Sequence, residues 1–209
     1  MNKNEKFVIT INREMGSGGR TVGRKLAEKL NVEFCDKALI RALTEKYNLS
    51  TEEVERLKGR SHSWWRDLLN RLSEGQGMMP TGQIPAKLDI PTTEEIFKVE
   101  TEILKGLAET TSCVITGRSG FFVFRNEPNH LSILVQASKP HRIERVMRKQ
   151  NMTEEEAIKT IEKVDKMREN YIQKYTNSSR YDTRNYDLVI SADGKTEDEI
   201  VNLILQYIG

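Results

Sequence analysis

Apolar residues along this chain alternate between two rhythms. Short β-branched runs recur, and each is followed by a stretch with an apolar residue every three or four positions. The run Lys6–Ile11 (KFVITI) is bounded by polar residues and suits a strand buried on both faces. After a glycine-rich turn, Thr21–Leu30 puts Val22, Leu26, Ala27 and Leu30 on one helical stripe. Val32–Cys35 reads as a second strand, and Asp36 is placed to cap a helix holding Leu39, Ile40 and Leu43. Strand, loop, helix and strand in this order predict a βαβ unit, hence a parallel sheet with a right-handed crossover.

The alternation continues to the end of the chain. Ser50 with Glu53, Thr92 with Glu95, Thr153 with Glu156 and Thr196 with Glu199 are capping boxes, each opening a helix. The first of these helices runs to about Lys58. Trp64, Trp65, Leu68, Leu69 and Leu72 lie at helical spacing, as a seam packed on the main domain or as a base-stacking surface. Ser73–Pro91 has no periodicity and carries several glycines and prolines, which makes it either a mobile loop near a substrate site or a disordered segment. Ile96, Val99, Ile103 and Leu107 continue the next stripe. Ser112–Thr116, Leu131–Val135 and Tyr186–Ser191 read as strands. Ser138 and Pro140 start one helix, and the helix opened by Thr153 reaches about Tyr175. About five strands separated by helices predict an α/β fold, a three-layer αβα sandwich on a parallel sheet.

Composition narrows the picture. The 209 residues suffice for one domain with a sizeable core, and 31% charged against 37% hydrophobic residues describe a well-solvated globular protein. Lys+Arg of 33 against Asp+Glu of 31 gives a net charge of +2, which argues against a dedicated nucleic-acid or membrane partner. No run approaches the about 18 apolar residues of a membrane span, and Phe7–Ile11 is too short for a signal peptide. Cys35 and Cys113 lack metal-ligand spacing and read as buried thiols of a reducing compartment, so a cytoplasmic protein is expected. His62, His130 and His141 also lack that spacing and read as surface or loop residues.

The strand-to-helix turn Gly16-Ser17-Gly18-Gly19-Arg20-Thr21 has the composition of an anion site. Glycines let backbone N–H groups approach phosphate oxygens, and the helix start adds unpaired donors and positive dipole. The segment Ile9–Leu30 (ITINREMGSGGRTVGRKLAEKL) resembles the opening of the nucleoside monophosphate kinases, most closely the cytidylate kinase-like family. Phe34-Cys35-Asp36 with Ile40-Arg41, Val114–Gly120, Arg142–Arg148, Asp165–Arg168 and Tyr186–Ile190 extend the resemblance in order along the chain. The resemblance implies a P-loop kinase fold, a single domain over residues 1–209 with an acceptor-side insertion at 50–91 and a lid at 142–180. It implies ATP on the loop, Mg²⁺ beside Thr21, and a nucleoside monophosphate as acceptor, CMP or dCMP first. Cofactor-binding residues would be Gly16, Ser17, Gly18, Gly19, Arg20 and Thr21. Arg20, Arg118, Arg142 and Arg168 would be catalytic, and Asp36, Arg41, Arg118 and Asp165 would hold the acceptor.

Two departures bear on mechanism. The usual loop carries a lysine that reaches the β- and γ-phosphates, and here Gly19 stands in its place, with Arg13 at the usual first glycine. Arg20 is expected to supply charge to phosphate, the alternative being an outward surface residue. The Asp-Gly-Arg-Asp typical of cytidylate kinases reads Thr116-Gly117-Arg118-Ser119, leaving Glu14, Asp36 and Asp165 as acids that could act; Asp36 could equally be a helix cap. Singly, arginines such as Arg142, Arg145 and Arg148 fit a solvated helix with Glu144–Arg148 pairing, and as a set they fit phosphate contacts. The alternatives are therefore a kinase for another small acceptor and a non-catalytic nucleotide or anion sensor.

Overall fold

Strand β1 (Val8–Arg13) is buried along nearly its whole length because a parallel neighbour lies on each side of it. The computed structural model describes residues 1–36, 94–117 and 119–209. With β2 (Glu33–Asp36), β3 (Cys113–Thr116), β4 (His130–Gln136) and β5 (Leu188–Ser191) it forms a five-stranded parallel sheet in the order β2-β3-β1-β4-β5. Helices α1 (Gly19–Leu30), α2 (Glu94–Thr110), α3 (Gly120–Val123), α4 (Lys139–Gln150), α5 (Glu154–Thr176) and α6 (Glu197–Ile208) alternate with the strands. Met1–Asp36 and Ser112–Gly209 form one compact unit that contains the whole sheet, and Lys37–Thr111 forms a second.

Within the first unit, period-two alternation sends Ile9 and Ile11 to one face of β1. They meet Val22, Leu26 and Ala27 of α1 and Ile200, Val201 and Ile204 of α6. Leu131, Ile133 and Val135 of β4 complete this layer. The opposite face carries Thr10, against which α3 packs so closely that a Cβ at Gly120 would stand 2.8 Å from the Thr10 methyl carbon. Helices thus cover both faces of the sheet, as the alternation of elements predicts. In the second unit, α2 buries Val99, Ile103, Leu104 and Leu107, the apolar stripe of the sequence.

Element ends moved where tertiary pairing overrides local composition. β1 runs on through polar Asn12 and Arg13 because β4 extends alongside them, pairing Asn12 with Leu134 and Arg13 with Val135. β5 starts at Leu188, two residues later than Tyr186, because a short 3₁₀ turn over Thr183–Asn185 precedes it. The capping boxes at Thr153 and Thr196 form with both reciprocal hydrogen bonds. Cys35 and Cys113 are buried thiols on adjacent strands, neither of them in a disulfide. Among the described residues no helix is long and apolar enough to cross a membrane. The predicted helix after Asp36, the Ser50–Lys58 helix, the Trp64–Leu72 seam, Ser73–Pro91 and Thr92 lie outside the described residues.

His130 is not a surface loop residue; it opens β4, half-buried, with its ring 5.9 Å from that of Phe124 and Nε2 2.7 Å from the Thr10 hydroxyl. Burial drives its pKa from 6.5 down to about 4, against the opposing pull of the Asp187 charge and a hydrogen bond to the Phe124 backbone. The folded ring stays neutral while the unfolded ring takes up a proton below about pH 6.5. Stability is therefore fully present above that pH and falls as the pH drops toward 4. Urea unfolding at pH 7.5 and pH 5 should show a loss of about 1–3 kcal/mol from this group, and His130→Gln should flatten that part of the pH dependence.

Candidate functional site

The chain leaves the sheet at the carboxyl end of β1, where Glu14 N–H still donates to the Val135 carbonyl at 3.2 Å. Two glycines then take left-handed backbone, Gly16 at φ +88° and Gly18 at φ +84°. At Gly16 there is no room for a side chain, since a Cβ would lie 2.7 Å from the Arg142 carbonyl oxygen in the first turn of α4. Ser17 closes the turn, its N–H and hydroxyl both donating to the Glu14 carbonyl at 3.3 and 3.1 Å. Gly18 is the N-cap of α1 and supplies no side-chain acceptor, and the first turn of α1 holds no acidic residue. The first helical bond runs from Val22 N–H to Gly18, so the amides of Gly19, Arg20 and Thr21 precede it. The contrast with α4, α5 and α6 is clear: each has a hydroxyl cap, from Ser138, Thr153 and Thr196. The start of α1 is left open to an anion.

Asp165 of α5 is buried behind the loop and organises it. Its Oδ1 accepts from the Met15 N–H at 2.9 Å and from Arg180 Nη1 at 3.1 Å. Its Oδ2 takes Arg142 Nη1 at 2.6 Å, and Arg168 Nη1 lies 3.5 Å from Oδ1. Arg168 and Arg180 also donate to the Arg13 carbonyl at the end of β1. Arg180 is 0% exposed. Its N–H donates to Glu169 at 3.1 Å, and its carbonyl accepts from the Tyr186 hydroxyl at 2.7 Å. That hydroxyl in turn accepts from the Asn12 amide at 2.5 Å. Burial first, and then the neighbouring Arg180 charge, lowers the Arg168 guanidinium to about 10, which leaves it cationic at neutral pH. Arg145 reaches over the loop from α4: it pairs with Glu197 at 2.5 Å and stands 3.5 Å from the Thr21 hydroxyl.

The structure gathers Gly16–Thr21, Arg142, Asp165 and Arg168 at one place. Arg142 and Arg168 face Asp165 and the loop backbone. Arg20, half-exposed, instead points to the carboxyl end of β2, where Nε and Nη2 meet Asp36 Oδ2 at 2.7 and 2.6 Å. Arg148 lies on the exposed side of α4, while Arg41 and Arg118 are outside the described residues. Thr116 and Ser119, which stand where carboxylates were expected, are buried hydroxyls whose oxygens find no hydrogen-bond partner among the described residues. Ser119 also holds a left-handed backbone at φ +55°. Arg180 was missed by sequence reasoning, because it follows α5 in a polar stretch with no periodicity to mark it.

The sequence model of the cytidylate kinase-like family matches residues 8–193. The chain belongs to that family. This cytidylate kinase-like protein is 24% identical over 201 residues to a cytidylate kinase of Sulfolobus acidocaldarius, covering 96% of this chain and 93% of that one. It is 27% identical over 207 residues to an S-adenosylmethionine-dependent nucleotide dehydratase of Lacinutrix mariniflava. That match takes in 97% of this chain and spans only 36% of the dehydratase's length. The crystal structure of an uncharacterized protein from Eubacterium ventriosum superposes with a TM-score of 0.70 at 24% identity, over 97% of this chain and 98% of that one. The fold is accordingly that of the P-loop kinases, three-layered on a five-stranded parallel sheet.

Asp165→Ala leaves three guanidinium groups and a loop amide without their shared acceptor, one of those groups fully buried. Denaturant unfolding of this variant should report a loss of about 3–5 kcal/mol.

Proposed function

We propose that the protein transfers the γ-phosphoryl group of ATP to a nucleoside monophosphate, with CMP or dCMP the first candidates. The observation that carries this reading is the uncapped start of α1 at a glycine loop walled by arginines. The family match and the likeness to a cytidylate kinase support the nucleotide acceptor. ATP phosphates would lie on the amides of Gly16–Arg20. An oxygen of the acceptor's phosphate would attack the γ-phosphorus as the bond to the β–γ bridging oxygen breaks, giving ADP and a nucleoside diphosphate. The protein's part is placement and charge neutralisation, for which Arg142, Arg145 and Arg168 of the 142–180 lid region serve. Asp165 sets the positions of Arg142 and Arg168, and Asp36, Arg41 and Arg118 would hold the acceptor.

Mg²⁺ suits the donors present. Thr21 offers a hard hydroxyl oxygen in the first turn of α1, and its contact with Arg145, at 3.5 Å, is at the long limit of a hydrogen bond. When bound there, the ion would neutralise phosphate charge alongside the arginines. Two buried cysteines outside any disulfide fit a cytoplasmic setting.

The glycine at position 19 and the hydroxyls of Thr116 and Ser119, unpartnered among the described residues, favour a second reading, in which the acceptor is another small molecule or the site only senses a nucleotide. An ADP-release assay across all nucleoside monophosphates, with and without Mg²⁺, separates these. The expected result is Mg²⁺-dependent turnover, fastest with CMP or dCMP, together with a rise in Tm on adding ATP. Stabilisation by ATP without turnover on any acceptor would establish the sensor. No stabilisation by any nucleotide would sink the phosphate-loop reading.

A further inference from the structure

The two unusual positions of the loop, Arg13 and Gly19, touch each other. A Cβ at Gly19 would stand 2.6 Å from Arg13 Cβ, 3.2 Å from Arg13 Cγ and 3.3 Å from Val135 Cβ. The first of these is bonded to the backbone of a strand, so it cannot swing aside. A lysine at 19 and an arginine at 13 therefore compete for one volume, and the chain fills it from position 13.

The far end of that side chain is located just as firmly. The Arg13 guanidinium lies against Gly117, where any Cβ would overlap Nη1. Gly117 adopts φ +83° and donates its N–H to the Ile11 carbonyl at 3.0 Å, which fixes it at the carboxyl ends of β1 and β3. Ligands of parallel α/β sheets collect at the carboxyl ends of the strands. Arg13 thus starts on the central strand, passes beside the first residue of α1 and ends against Gly117, next to the carboxyl ends of β1 and β3. Gly19 and Gly117 leave the room for its stem and its head.

We infer that Arg13 is the phosphate-directed cation of this site, taking from the end of β1 the part that a lysine at the start of α1 takes in the usual loop. An arginine brings more than the charge: its planar fork can hold two phosphate oxygens at once, where an ammonium is a point charge. This inference rests on the kinase reading, and it adds to that reading a residue and a reason for the glycine at position 19.

The test compares wild type, Arg13→Gln, Arg13→Gly and the double variant Arg13→Gly/Gly19→Lys. ATP affinity is read by calorimetry, ADP release by coupled assay, and folding by circular dichroism and the Tm without ligand. Arg13→Gln should keep its fold and ligand-free Tm while kcat/KM for ATP drops roughly 10²–10³-fold. The double variant, which restores the usual lysine, should regain at least roughly tenfold over Arg13→Gly. Wild-type ATP affinity and turnover in Arg13→Gln would overturn the inference and leave the kinase reading standing. A wild type that binds no ATP overturns the kinase reading, and the inference with it.

Discussion

The shape of the glycine loop depends on one buried carboxylate 150 residues further along the chain. Asp165 accepts from the Met15 amide and holds Arg142 and Arg180 at hydrogen-bond distance. A carboxylate this far from water is tolerable because it is surrounded by cations and donors, and those cations are tolerable because of it. The arrangement ties four parts of the chain together: the loop, the first turn of α4, the middle of α5 and the stretch that follows it. Arg180 then passes the constraint to the carbonyl of Arg13 and, through the Tyr186 hydroxyl, to Asn12. Both ends of β1's last turn into the loop are therefore held by side chains, in addition to the ladder with β4.

A net charge of +2 conceals how unevenly charge is distributed. Arg13, Arg142, Arg145, Arg168 and Arg180 all converge within the sheet-bearing unit on the loop or the carboxylates that back it. Asp165, Glu14, Glu169 and Glu197 stand among them. Placing such groups in a low-dielectric setting makes each unit of charge count for more toward an anion than it would on an open surface. A cluster of arginines is thus built without needing a basic protein overall.

Much of this was legible in the sequence, and the boundary of legibility has a physical origin. Strands, helices and their order follow from local periodicity, and capping boxes such as Thr153–Glu156 mark helix starts because the two bonds involve residues three apart. The parallel sheet follows from alternation alone. Element ends were less legible: β1 extends through Asn12 and Arg13 only because β4 lies beside them. Within the site, the glycine loop could be read from composition, whereas the partners of each arginine could not. Arg20 sits next to the loop in sequence, but its partner in space is Asp36. Arg180 carries no local signature at all, and its position is decided by Asp165 and by burial. Arg13 and Gly19 were visible as departures, but that they share one volume is a fact of three dimensions.

Helix α1 begins without a side-chain cap, in contrast to α4, α5 and α6. A hydroxyl or carboxylate in that position would strengthen a helix by a few tenths of a kcal/mol over glycine, and Gly18 forgoes it. The left-handed backbone at Gly18 also resists the residues that would supply it. The first turn of α1 is thus left unfinished by the chain itself. An anion seated there supplies the missing acceptor, so ligand occupancy and the rigidity of this turn become one equilibrium, and protection of the Gly19–Thr21 amides from exchange with solvent is a direct measure of it.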